Sequence, residues 1–253
     1  MKILPIMLLL AIVVTSRSVS AAPLPCTEAA GMALGNAVNA RLQSLFQSVA
    51  ESPRLRIYSD ASDLRQNIQV AQVTRVAGFY QPDDMTIHVA CQDGETRVFE
   101  TVIRHETTHH YLHQVFGTLP RWLDEGIAAY MEAGPLEEGT LTEHIHEARL
   151  REFCRLLRHA SAPSLQDMFT RDRSSPLSSA DYAADWALIF ALLHHPDPDT
   201  QTRRRHALNA LLRTVNSGND AAYHAFLTTL IGEENEIKVW EANWRLQIWQ
   251  SAR

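Results

Sequence analysis

The sequence predicts an α+β protein. A mixed lobe, about 27–117, holds a small sheet and a histidine-bearing helix. An all-helical lobe, about 118–253, follows, with a cleft between the two. Three observations carry this. Strand-like runs appear at 54–58 and within 75–91, bounded by turn residues. Apolar residues recur at helical spacing from about Glu95 onward. No repeat, low-complexity tract or long linker separates independent domains, so 22–253 reads as one domain.

Residues 27–49 read as a helix capped by Thr27, with Leu34, Val38, Leu42, Leu45, Phe46 and Val49 on its apolar face. The run Arg54-Leu55-Arg56-Ile57-Tyr58 is a short strand, and 59–72 opens with capping residues and suggests a helix. Two strands follow, joined by the turn Gln81-Pro82-Asp83-Asp84. A helix is expected over 95–116, ended by Gly117 and Pro120, and a shorter one over 120–132. Further helices are expected at about 141–160, 164–170, 180–195, 200–215, 218–230 and 233–250.

The N-terminal residues read as a signal peptide rather than as fold. Lys2 precedes an apolar block from Ile3 to Val14, and Val19-Ser20-Ala21 offers small residues for cleavage after Ala21. The block is too short for a comfortable spanning helix, so no stable membrane insertion is expected. Pro23-Leu24-Pro25 before Cys26 fits a lipid-attachment signal poorly. The expected location is periplasmic or secreted. Loss of Lys2 and Arg17 moves the net charge from −6 to about −8, which argues against nucleic-acid or anionic-membrane partners. In an oxidising compartment one disulfide is expected among Cys26, Cys91 and Cys154, with the pairing open.

The chemistry concentrates in His105-Glu106-Thr107-Thr108-His109. Each helical residue turns about 100°, so histidines four apart stack on one face and can converge on one ion. Glu106 lies beside them, near enough to act on water without being a ligand. With 12 His and 16 Glu in 253 residues, chance yields about 0.04 such patterns per chain. A zinc ion in a hydrolase takes three protein ligands and keeps one position open. A glycine and histidine three and six residues past His109 would complete one class, but Leu112 and Val115 stand there. His113 is about 12 Å along the axis from His105, and His110 points about 100° away from His109, so both are set aside as outer or solvated residues. Glu125, 16 residues past His109 and beyond the helix stop, is the better third ligand; read alone, it is an exposed acid pairing with Arg121.

The words His-Glu-Thr-Thr-His and Trp122-Leu123-Asp124-Glu125-Gly126-Ile127-Ala128 resemble the gluzincin metallopeptidases, closest to the small bacterial peptidase MA-like domains. The resemblance covers about 75–195. It implies a zincin-like fold and a Zn2+ held by His105, His109 and Glu125, with Glu106 as general base. The sequence departs from thermolysin-type members at Ala129, where they carry an Asp, so the partner of the histidines is unassigned. Tyr182 is the donor the resemblance implies for the developing oxyanion; His144, His146 and Tyr130 are the other candidates, with His144 and His146 unable to face the same way on one helix. Substrate, a protein or peptide, is expected to lie along Thr86–Ala90 as an edge strand.

Three functions fit: a zinc metallopeptidase, a zinc hydrolase of another amide such as cell-wall peptide, and a zinc-stabilised binding module. The intact Glu106 disfavours the last, because a structural site needs no base. Trp240, Trp244 and Ile248 predict a C-terminal helix docked on the core, and His194-His195 a helix end where a cation or hydrogen bond suits the terminus.

Overall fold

A computed structural model describes residues 24–67, 77–91, 96–172, 176–215 and 237–252. The expected signal segment, the end of the expected 59–72 helix and the expected helix at 218–230 lie outside these residues. The fold is mixed α and β, mostly helical, with small sheets.

Helix α1 spans Glu28–Phe46. The Thr27 hydroxyl oxygen accepts from the Ala30 N–H at 3.2 Å, which satisfies one free donor of the first turn. Leu34, Val38, Leu42 and Phe46 recur every four residues and are fully buried. The helix ends at Gln47, in the left-handed region at φ 56°. Val49, expected on its apolar face, lies past that end and is 74% exposed.

Strands β1 (Arg54–Tyr58), β2 (Gly78–Gln81) and β3 (Thr86–Ala90) form a sheet in the order β1-β3-β2. Helix α2 (Ala61–Asn67) follows β1, and one 3-10 turn at Pro82–Asp84 joins β2 to β3. β3 is parallel to β1 and antiparallel to β2, and is buried at every position. This corrects the expectation that Thr86–Ala90 is an edge. Cys91 N–H donates to Tyr58 O (2.8 Å) on one side, and Ala90 N–H to Ala77 O (2.7 Å) on the other. Among the described residues the free edge on the β2 side is β2 itself. The Cys26–Cys91 disulfide ties the segment before α1 to the end of β3, while Cys154 is a buried thiol.

Helix α3 spans Thr96–Phe116 and stops where Gly117 takes φ 71°, a conformation that suits glycine. After Pro120, α4 runs over Arg121–Met131. A hairpin of β4 (Leu136–Glu137) and β5 (Thr140–Leu141) then turns through Glu138 and Gly139, both at positive φ. Helix α5 begins at Glu147 and ends at Arg158, so the helix expected from 141 starts later. Leu141 pairs in β5 instead, and 142–146 are irregular. Helices α6 (Leu165–Thr170), α7 (Ser179–Leu193), α8 (Pro198–Thr214) and α9 (Ile237–Ser251) complete the described chain.

α7 is apolar on nearly all sides because it runs through the core: Ala183 to Leu193 are all buried. α4 packs closely on it. A Cβ on Gly126 would stand 2.8 Å from Asp185 O, so only glycine lets the helices approach this far. Trp244 and Ile248 of α9 are fully buried, and Trp244 stacks on Phe153 at 5.1 Å. Trp240 lies outside the described side chains. No helix among the described residues is long and apolar enough to cross a membrane.

Candidate metal centre

Two helices build the site. α3 supplies His105, Glu106 and His109; α4, reversed by the turn at Gly117–Pro120, supplies Glu125. His105 Nε2 and His109 Nε2 lie 3.0 Å apart. Glu125 Oε2 is 3.3 Å from the first and 3.7 Å from the second. These three residues form the group able to hold a metal ion among the described residues. These spacings suit one ion: ligand atoms at about 2.05 Å from a tetrahedral ion stand about 3.3 Å from one another.

The backs of both rings are occupied. A carboxylate can only accept, so His109 Nδ1–H donates to Asp124 Oδ1 (2.8 Å) and His105 Nδ1–H to Glu132 Oε1 (2.9 Å). This places the free lone pair of each imidazole on Nε2, toward the same point. Glu125 Oε2 is buried and has no hydrogen-bond partner among the described residues. A buried carboxylate oxygen facing two Nε2 lone pairs leaves an acceptor-only cavity, which a cation satisfies.

The electrostatics agree. Burial works against a charged imidazole, but the carboxylates of Glu125 and Glu132 beside it prevail and raise His105 to about 9. His109 is pushed up in the same way against its burial, by Asp124 first. Burial also opposes ionised Glu125, yet the facing imidazoles hold its carboxyl far below its ordinary value. Without an ion, the cluster draws positive charge to itself. Glu106 is different. Burial raises its carboxyl, with His105 and His109 offsetting only part. Its Oε2 accepts from the Tyr80 backbone N–H of β2 at 2.9 Å.

Tyr182, at the start of α7, lies beside the site: its ring is 6.3 Å from that of His105. Burial, then the charge of Glu125, raises its hydroxyl well above the ordinary tyrosine range. The other expected donors are elsewhere. Tyr130 bonds His194 at 2.9 Å, and His144 is exposed. Neither His144 nor His146 lies within α5; His146 caps it, and its Nε2 contacts Glu132 at 3.1 Å. His113 is exposed, as expected. His110 is not solvated: it is fully buried, its Nε2–H donating to Glu51 O at 2.7 Å.

Sequence reasoning missed Asp124 and Glu132, the orienting partners left unassigned at Ala129. A signal existed for Glu132: it stands seven residues past Glu125, two turns along the same helical face. For Asp124 it lay only in adjacency to Glu125.

Residues 100–214 match a family model described as a protein of unknown function, DUF1570. The match runs from the first turns of α3 to the end of α8. It includes the whole cluster and omits α1 and the three-stranded sheet. No curated protein matches the chain.

Proposed function

We propose that the chain is an exported zinc-dependent metallopeptidase of gluzincin type, with His105, His109 and Glu125 holding the ion and Glu106 as general base. One observation carries the reading. Three ligand atoms from half-buried side chains meet within 3.0–3.7 Å, with both imidazoles turned toward one point by carboxylates behind them. The α3 helix beneath a small sheet, followed by helices, supports a zincin-like arrangement of lobes with the cleft between them. The Cys26–Cys91 bond supports an oxidising compartment.

Zinc bound there would polarise a substrate carbonyl and acidify water. Glu106 stands beside the ligands and takes a proton from the attacking water, then passes it to the leaving amine. Its raised affinity for the proton suits both halves of that task. The Tyr80 N–H holds the carboxylate at the end of β2. Tyr182 keeps its hydroxyl proton across the neutral range, so it can donate to the oxyanion. Substrate lies along β2 rather than β3. In the antiparallel ladder Ala77 pairs with Ala90, so Gly78 and Tyr80 turn their backbone groups away from β3; the Tyr80 N–H is held by Glu106, which leaves the Tyr80 carbonyl and both groups of Gly78 to a peptide. An extended peptide adds there.

The test is metal analysis plus hydrolysis of a peptide library. Glu106→Gln should keep one zinc and lose turnover, and His109→Ala should lose both. Full hydrolysis by Glu106→Gln overturns the reading. One zinc with no hydrolysis by the wild type would point to a binding module instead.

A further inference from the structure

We propose that His146 is a positioning residue for this centre: through Glu132 it holds His105 in the orientation and tautomer that metal binding needs, and so couples the start of α5 to the ion. The inference rests on the metal reading above.

The ring of His146 has a hydrogen-bond partner at each nitrogen. Its Nδ1 accepts from the Arg149 backbone N–H at 3.4 Å, as the cap of α5. An accepting Nδ1 carries no proton, so the neutral ring carries it on Nε2. That Nε2–H donates to Glu132 Oε2 at 3.1 Å. The other oxygen, Oε1, accepts from His105 Nδ1 at 2.9 Å. One line of hydrogen bonds therefore runs from the α5 backbone through His146 and Glu132 to His105. A reversal at any member breaks a neighbour: the other tautomer of His146 would face Glu132 with a lone pair.

Glu132 needs such support. Its side chain is only 6% exposed, so bulk water does little to orient it. Arg149 Nη2 approaches both carboxylate oxygens, at 3.4 and 3.2 Å, but holds neither facing one way. His146 contacts Oε2 alone and leaves Oε1 to His105. The cap is the longer bond and the Glu132 contact the shorter, so the ring is placed chiefly by the carboxylate. The same turn of α5 reaches the site a second time. The Arg149 guanidinium lies over the Tyr182 ring at 5.1 Å, and that ring is beside His105. Glu132 caps the end of α4 and His146 the start of α5. The contact thus closes the intervening hairpin segment onto the centre.

Two substitutions separate the cap from the Glu132 contact. Asn places an acceptor where Nδ1 stands but cannot reach Glu132; Gln places an N–H near Nε2 but loses the cap. Zn2+ affinity would be measured by competition with a chromophoric chelator, and thermal unfolding on the metal-free proteins. His146→Asn should unfold near the wild-type temperature and bind Zn2+ about tenfold more weakly. His146→Gln should bind near the wild-type affinity and unfold earlier. Equal affinity in wild type and both variants overturns the inference. So does an equal loss in both, since the effect would then run through the folding of α5. A wild type that takes up no Zn2+ fails differently: it removes the metal reading itself and the inference with it.

Discussion

The Tyr80 backbone N–H donates to Glu106 Oε2 at 2.9 Å, which joins the free edge of the sheet to the proposed base. The donor belongs to a residue whose backbone faces away from β3, so proline at this position costs no ladder bond. Tyr80→Pro is expected to fold, to keep zinc and to lose about tenfold in turnover, because the base is no longer held. Steady-state kinetics with parallel metal analysis tests this; unchanged turnover would show that the N–H does not position Glu106.

Asp124 and His109 make the corresponding pair behind the second imidazole, at 2.8 Å. Asp124→Asn is nearly isosteric but can offer an N–H to Nδ1, which favours the proton on Nε2, where the ion would bind. Zn2+ affinity should fall 10- to 100-fold, on the order usual for such partners. Equilibrium dialysis measures it. Wild-type affinity would mean that the carboxylate is not needed to set the tautomer.

The Cys26–Cys91 bond closes a loop across 65 positions of sequence. By chain entropy, such a bond contributes about 4 kcal/mol by restricting the unfolded chain. The double variant Cys26→Ser/Cys91→Ser should lose stability of that order in urea unfolding. The wild type should approach it when reduced. Equal midpoints for oxidised and reduced wild type would contradict the contribution.

His194 introduces an acid sensitivity. Burial, then the charges of Arg205 and Arg41, lower it to about 4. Its Nε2 accepts from the Tyr130 hydroxyl at 2.9 Å, and the ring stacks on Phe190 at 4.4 Å. It is therefore a neutral hydrogen-bond acceptor at the end of α7, and the cation considered from the sequence is not what stands there. An unfolded histidine titrates near 6.5, so the unfolded chain binds the proton first as pH falls. This contribution is fully present above about 6.5 and is lost progressively from there to about 4; its size is roughly 3 kcal/mol. His194→Gln keeps an acceptor for Tyr130 and does not titrate. Thermal unfolding at pH 7.5 and 4.5 should show a smaller loss in this variant than in wild type. Equal losses would remove His194 as the cause.

Much of this protein was legible along the chain because the relevant physics is local. Four-residue spacing on one helix puts His105 and His109 together, and Gly117 with Pro120 reverses the chain so that Glu125 can return to them. Distance and angle on the same helix set His110 and His113 aside, and the structure brings neither into the cluster. Tertiary structure decided what depends on residues far apart. Sheet order places Thr86–Ala90 in the middle, which no strand reveals about its own neighbours. The partner of Cys26 is Cys91 because the segment before α1 and the end of β3 meet in space. Glu132 serves His105 across 27 residues and meets His146 from the next helix, because α4 packs along α3 and the hairpin returns α5. The residues that face a site follow from local periodicity; those that orient them from behind follow from packing.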